Sequence, residues 1–259
     1  MKDGESRLRE FAREVAQLRR SPAASREAVA AVKHFQRERL ALAHADLLRS
    51  DRYRLAARFF LDELYGVKDF SSRDQELARM IPSMSRLLPA AVLGAIADAV
   101  ELDAISERLD DAMAALHETT PPSAAPEGAP AGDAALPELT EARYFSLYRA
   151  AGRREMRARQ IALVEHIGRE LNQLVNKPFL YRILKGMEGP ARLAGLGQMQ
   201  SFLLSGFDAF RAMRGAEEFI TTIVTRERAL MEAAFTGQGP GEQNSDALPA
   251  AGEVSTEPK

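Results

Sequence analysis

Apolar residues recur along most of this chain at spacings of three and four, the pattern of helices with one buried face. Residues 5–20 place Leu8, Phe11, Val15 and Leu18 on one stripe, and Ser21-Pro22 breaks the run. Ser25 caps a longer segment to about Arg49, in which Val29, Val32, Leu40, Ala43 and Leu47 face one way while Phe35 and Leu42 face the other. The next segment, 52–65, follows an Asp51 cap and stops at Gly66; Tyr53, Ala56, Ala57, Phe60, Leu61 and Leu64 share its apolar side, and Phe59 lies off it. Gly66 to Phe70 reads as a turn, and Ser72 with Gln75 reads as a capping box for a helix carrying Leu77, Met80 and Ile81. Pro82 is expected to kink or end that helix, and Pro89 to start another reaching about His117.

Residues 118–137 contain five prolines, six alanines and no aromatic, too little apolar surface to order the segment. Helical periodicity resumes at Thr140 with Tyr144, Phe145 and Tyr148 on one side. From Met156 the stripe (Leu163, Val164, Ile167, Leu171, Leu174) is rotated, so a break is expected near Gly152. A short piece, 179–185, precedes a helix that Pro190 starts and Gly215 ends, its stripe running through Met199, Phe202, Phe207, Phe210 and Met213. The last helix carries Phe219, Ile220, Ile223 and Leu230, and residues 236–259 are rich in Gly, Pro and Glu. The expected fold is all-α: a multi-helix bundle in two helical halves, 1–117 and 139–235, packed as one domain. A disordered Pro/Ala-rich linker (118–138) joins them and a disordered tail (236–259) follows.

Composition removes more functions than it suggests. The net charge of −2 offers no field to recruit nucleic acid, and the absence of cysteine excludes disulfides, thiolate nucleophiles and Cys-based zinc sites. The longest run without a charge, Leu193–Phe207, is 15 residues, short of the roughly 20 that cross a bilayer. No leader pattern opens the chain, so a cytoplasmic protein is expected. Arginine (29) far outnumbers lysine (6), but the arginines are spread over nearly every segment.

Two motifs carry a resemblance. FFLDELYG at 59–66 with DF-x-x-RD at 69–74, and GFDAFRAM at 206–213 with GAEEF at 215–219, resemble those of a family of uncharacterised bacterial all-helical proteins, a domain of unknown function. The resemblance implies a shared helical fold over about 30–117 and 140–235 and carries over no activity, ligand or catalytic residue.

Chemistry is sparse. No histidine has a Glu three residues before it, as a diiron bundle requires, and no phosphate loop, nucleophile elbow or HExxH is present. No metal and no cofactor are expected, and these absences point away from an enzyme. His44 and Asp46, with Asp62, Glu63 and Asp74, form the candidate polar site. Phe59, Phe60, Tyr65 and Phe70 form a candidate aromatic contact surface. Arg149, Arg153, Arg154 and Arg157 form a candidate basic patch, which with Tyr144 and Tyr148 could hold a phosphate or a single strand. The leading expectation is a non-catalytic protein that binds a protein partner or itself through the aromatic surface. The second is a small-molecule or lipid-binding protein with an apolar pocket lined by Phe202, Phe207 and Phe210. An enzyme using His44 with a nearby carboxylate is the third.

Overall fold

The computed structural model describes residues 4–66, 70–87, 90–120 and 136–237; the expected linker and tail fall mainly on 121–135 and 238–259, outside them. Within the described residues there is no strand, and the fold is all-α. In chain order the helices are α1 (Gly4–Arg20), α2 (Arg26–Ala43), α3 (Ala45–Arg49) and α4 (Arg54–Phe59), which continues into a π-turn at Phe60–Leu64. Then come α5 (Ser71–Leu87), α6 (Ala90–Thr119), α7 (Glu141–Ala150), α8 (Arg154–Leu174), α9 (Pro178–Gly186), α10 (Glu188–Leu193), α11 (Gly197–Ala212) and α12 (Glu217–Thr236).

The two helical halves share one core. Tyr53, Ala56 and Ala57 of the first half lie in a single apolar cluster with Ile161, Phe207, Phe210, Met213, Phe219 and Ile220 of the second. Around this core, α6 is packed by α1 and α2 on one side and α8 on another, while α12 lies along α8 and α11 crosses α4. A second cluster, built on Tyr144, Phe145 and Tyr148 of α7, closes the end where α2 begins; the Phe35 ring stacks on Tyr144 at 4.5 Å. Charge fastens α1 onto α6: Arg7 reaches Asp98 and Glu101 at 2.6 Å each, and Arg108 grips Glu14.

Local chemistry sets most helix ends. The Ser25 and Thr140 side chains accept from the Ala28 and Arg143 amides, capping α2 and α7. The expected break near Gly152 is present: Gly152 has φ +62°, a conformation that costs other residues, and it turns the chain between α7 and α8. Three expectations need correction. The segment from Ser25 does not run unbroken to Arg49, because His44 leaves the helical conformation (φ −118°, ψ 25°) and swings α3 away from α2. Pro82 does not end α5: its missing N–H is tolerated inside a helix that continues to Leu87. The helix expected from Pro190 onward is two helices, α10 and α11, divided where Gly195 adopts φ +67°.

Helices α4 and α11 approach closely at Gly206. A Cβ placed on Gly206 would stand 2.8 Å from Cζ of Phe59, so that ring fills the space a side chain would take. Phe59 also lies 5.4 Å from the Phe202 ring, and Phe60 lies 6.2 Å from Phe210 and 5.7 Å from Phe219. The aromatic surface expected at Phe59 and Phe60 is therefore an internal interface with α11 and α12. Phe70 is buried beneath the guanidinium of Arg73 at 4.1 Å, so it is no outer contact surface either.

Candidate functional site

The polar side chains with the least ordinary surroundings meet where α2 ends against α12. The kink at His44 turns its imidazole inward, and Nε2 lies 3.3 Å from Oε1 of Glu227. Arg39, more than one turn earlier, approaches the same carboxylate with two nitrogens, NH1 to Oε1 at 3.2 Å and NH2 to Oε2 at 2.7 Å. Burial opposes ionisation of Glu227, but the His44 hydrogen bond and the Arg39 charge outweigh it and hold the carboxyl at about 2. Arg39 Nε and His44 Nδ1 are both buried without a hydrogen-bond partner. When Nε2 carries the proton toward Glu227, Nδ1 presents a bare lone pair.

Beside this cluster is a cavity of about 70 Å³. Leu40, Leu47, Phe60, Ile161, Phe219 and Ile223 give it apolar walls, and His44, Glu227, Tyr65 and Gln160 give it polar ones. The π-turn brings Tyr65 here: its N–H bonds the Phe60 carbonyl five residues back at 3.1 Å. Burial raises the Tyr65 phenol above its usual range, and the Glu227 charge adds to the effect. Residues of both halves line this cavity; Phe60, Tyr65 and Phe219 supply its rings, and Phe202, Phe207 and Phe210 do not line it.

The other members of the expected polar site are dispersed. Asp46 pairs with Arg226 at 2.7 Å, and this bond holds its carboxyl well below the usual range. Asp62 binds Arg37 at 2.7 Å on the surface, and Glu63 lies 3.8 Å from Arg73. Asp74 binds Arg19 at 2.6 Å within an ionic cluster under α1. The carboxylate that His44 meets is none of these but Glu227, 183 positions away.

The expected basic patch does not form as a surface. Arg157 is buried, its guanidinium 3.5 Å above the Tyr148 ring and 2.9 Å from Met113 Sδ. Arg154 pairs with Glu232, and Arg149 is half-buried near the Ala234 carbonyl; Arg153 stays exposed. Tyr144 and Tyr148 are core residues with no face free for a base. Sequence reasoning also missed His117, which is 1% exposed, accepts from Arg143 Nε at 3.0 Å and has a buried Nε2 without a partner. Burial and the Arg143 charge lower its pKa.

Among the described residues no group of three or more His, Asp and Glu side chains is placed to hold a metal ion, and no helix is long and apolar enough to cross a membrane. Fold and cluster together define an all-helical protein with a buried Arg–Glu–His knot beside a small internal cavity. The chain belongs to the family described as a domain of unknown function (DUF8198), whose model matches residues 15–240. No curated protein and no solved structure matches it.

Proposed function

We propose that this is a non-catalytic docking protein of the cytoplasm, which binds a partner protein through the uncovered face of α9 and the end of α10. One observation carries this reading. Phe179, Ile183 and Met187, spaced four apart on one side of α9, are 52%, 52% and 47% exposed, and Leu193 at the end of α10 is 92% exposed. On its other side α9 sends Leu180, Tyr181 and Leu184 into the main core. Its apolar arc is thus wider than the body beneath it covers, and contiguous apolar surface of this kind marks interaction sites. Lys177 and Arg182 flank it without an ion pair among the described residues, and Lys185 lies 5.8 Å from the Tyr181 ring. Those cations favour a partner with an apolar row edged by acidic residues. They disfavour a second copy, which would set like charges together.

A photo-cross-linking residue at Phe179 tests this. Cross-linked protein should be recovered with the wild-type surface and lost with Ile183→Glu, while light scattering shows a monomer. Capture indifferent to Ile183→Glu would defeat the reading.

A second reading has its own support. The cavity of about 70 Å³, lined by His44 and Glu227 among mainly apolar side chains, suits a small molecule that sets one polar group beside them and buries a short apolar body. Ligand-induced thermal shifts that vanish when Val164→Phe fills the cavity would favour it, and shifts surviving that variant would count against it.

A further inference from the structure

Helices α1, α2, α5 and α6 line an open cleft of about 1350 Å³, to which α9 contributes nothing. The carboxylates lining this cleft all have partners. Glu14 is held by Arg108, Asp74 by Arg19, and Glu107 by Arg19 at 2.9 Å and Lys33 at 2.7 Å. Asp111 accepts from the Ala23 and Ala24 amides at 3.0 and 3.1 Å, and Glu10 also has a partner.

The exposed arginines of the cleft are not matched in this way. Arg9, Arg13 and Arg20 fall within about 40° of one another around α1 and form a row about 16 Å long. Arg13 and Arg20 donate only to the carbonyls of Arg9 and Ala16, one turn back, at 3.0 Å each. Arg9 is tied to Glu5 at 2.7 Å, an exposed pair within one helix of the kind that contributes little. Arg26, at the start of α2, forms no ion pair among the described residues. Arg13, Arg20 and Arg26 thus offer guanidinium groups that no carboxylate of the described residues holds.

The same cleft presents short apolar side chains: Ala12 and Ala16 of α1, Val29 and Ala30 of α2, and Ala78 of α5. An occupant has to answer both features. Alternate side chains of an extended peptide recur about 6.7 Å apart on one edge, so a segment of about six residues spans the α1 row with carboxylates facing it. Its remaining side chains, when small and apolar, lie against the alanines and Val29. The volume exceeds the roughly 300–1,000 Å³ of small-molecule sites. A guanidinium takes a carboxylate through two parallel hydrogen bonds. Size selects a peptide over a small anion, and charge selects an acidic one.

We propose that this cleft is a second docking site, specific for an extended acidic segment of a partner protein in which carboxylates alternate with small apolar residues. Arg13, Arg20 and Arg26 grip the carboxylates, and Val29, Ala30 and Ala78 receive the residues between. The cleft and the α9 face are separate surfaces, and each stands or falls without the other.

A fluorescein-labelled peptide of about twelve residues, alternating Glu and Ala, tests this on the full chain. Its anisotropy should rise saturably at low salt, and about 0.5 M NaCl should abolish the rise by screening. The counterpart with Gln in place of Glu should not bind. Arg13→Glu, Arg20→Glu and Arg26→Glu together, all at exposed positions, should weaken binding about tenfold or more. The milder set Arg13→Gln, Arg20→Gln and Arg26→Gln should weaken it in the same direction. Arg49→Glu, Arg58→Glu and Arg153→Glu make an equal charge change at exposed positions outside the cleft and should leave binding close to wild type, as should Ile183→Glu on α9. Absence of saturable binding, equal binding of the Gln peptide, or equal weakening by the two charge-reversed sets would overturn the proposal. So would displacement by citrate at the same carboxylate concentration, which would mark a site for a small anion.

Discussion

Arg39 and Glu227 lie 188 positions apart, and their two-point hydrogen bond ties α2 to α12. His44 adds a third contact to the same carboxylate. Removing one member of a buried pair strands the other charge, at a cost of about 3–5 kcal/mol. Glu227→Gln is therefore expected to lose about that much in urea unfolding. His44→Ala should lose less, about 1–2 kcal/mol, since it removes one hydrogen bond. The reverse order would mean that His44, not the ion pair, holds the junction.

The same pair has a pH consequence. Glu227 sits at about 2 in the folded protein, below an unfolded value of about 4.3. Its stabilising contribution is full above the unfolded value and disappears as pH falls toward 2. Acid unfolding of wild type should be steeper than that of Glu227→Gln, when followed by circular dichroism.

Asp110 behaves in the opposite sense. Burial pushes its carboxyl up to about 6, against the pull of Lys33, and Gln36 donates to it at 2.7 Å. A raised folded value means a contribution complete below about 4 that is lost as pH rises through 6. Asp110→Asn should thus raise stability at pH 7 by about 1–3 kcal/mol and leave it unchanged near pH 4. A gain equal at both pH values would place the effect elsewhere.

Gly206→Ala is expected to cost about 1–3 kcal/mol, because the new methyl would stand 2.8 Å from the Phe59 ring. Adding Phe59→Leu should restore part of that loss, a non-additivity that a double-mutant cycle measures. Two independent, additive losses would show that the ring and the glycine do not share the space.

What the amino-acid pattern discloses about this molecule is mostly local. Caps at Ser25 and Thr140, the turn at Gly152 and the all-helical class all follow from side chains acting within one or two turns. The His44 kink escaped because the sequence continues to read as helix through Leu47. The fate of Phe59 escaped because periodicity on one helix cannot show that a glycine on α11 opens a slot for it. The polar cluster was half legible: His44 stood out, but Glu227 is one of many carboxylates and only the packing of α12 on α2 selects it. Arg157 appeared to be a surface charge since Arg153 and Arg154 precede it, although it turns inward onto Tyr148.

The burial of Tyr144 and Tyr148, with the Arg157 guanidinium lying over the second ring, gives the protein an optical signature. The chain has five tyrosines and no tryptophan, so its intrinsic emission comes from tyrosine alone. Tyr53 is hydrogen-bonded to the carboxylate of Glu218, and Tyr181 lies under Arg211 at 4.5 Å. Most of its emitters thus sit against charged groups in the native state and are freed from them on unfolding. Loss of the fold is read as a change in tyrosine light, with no dye and no engineered probe.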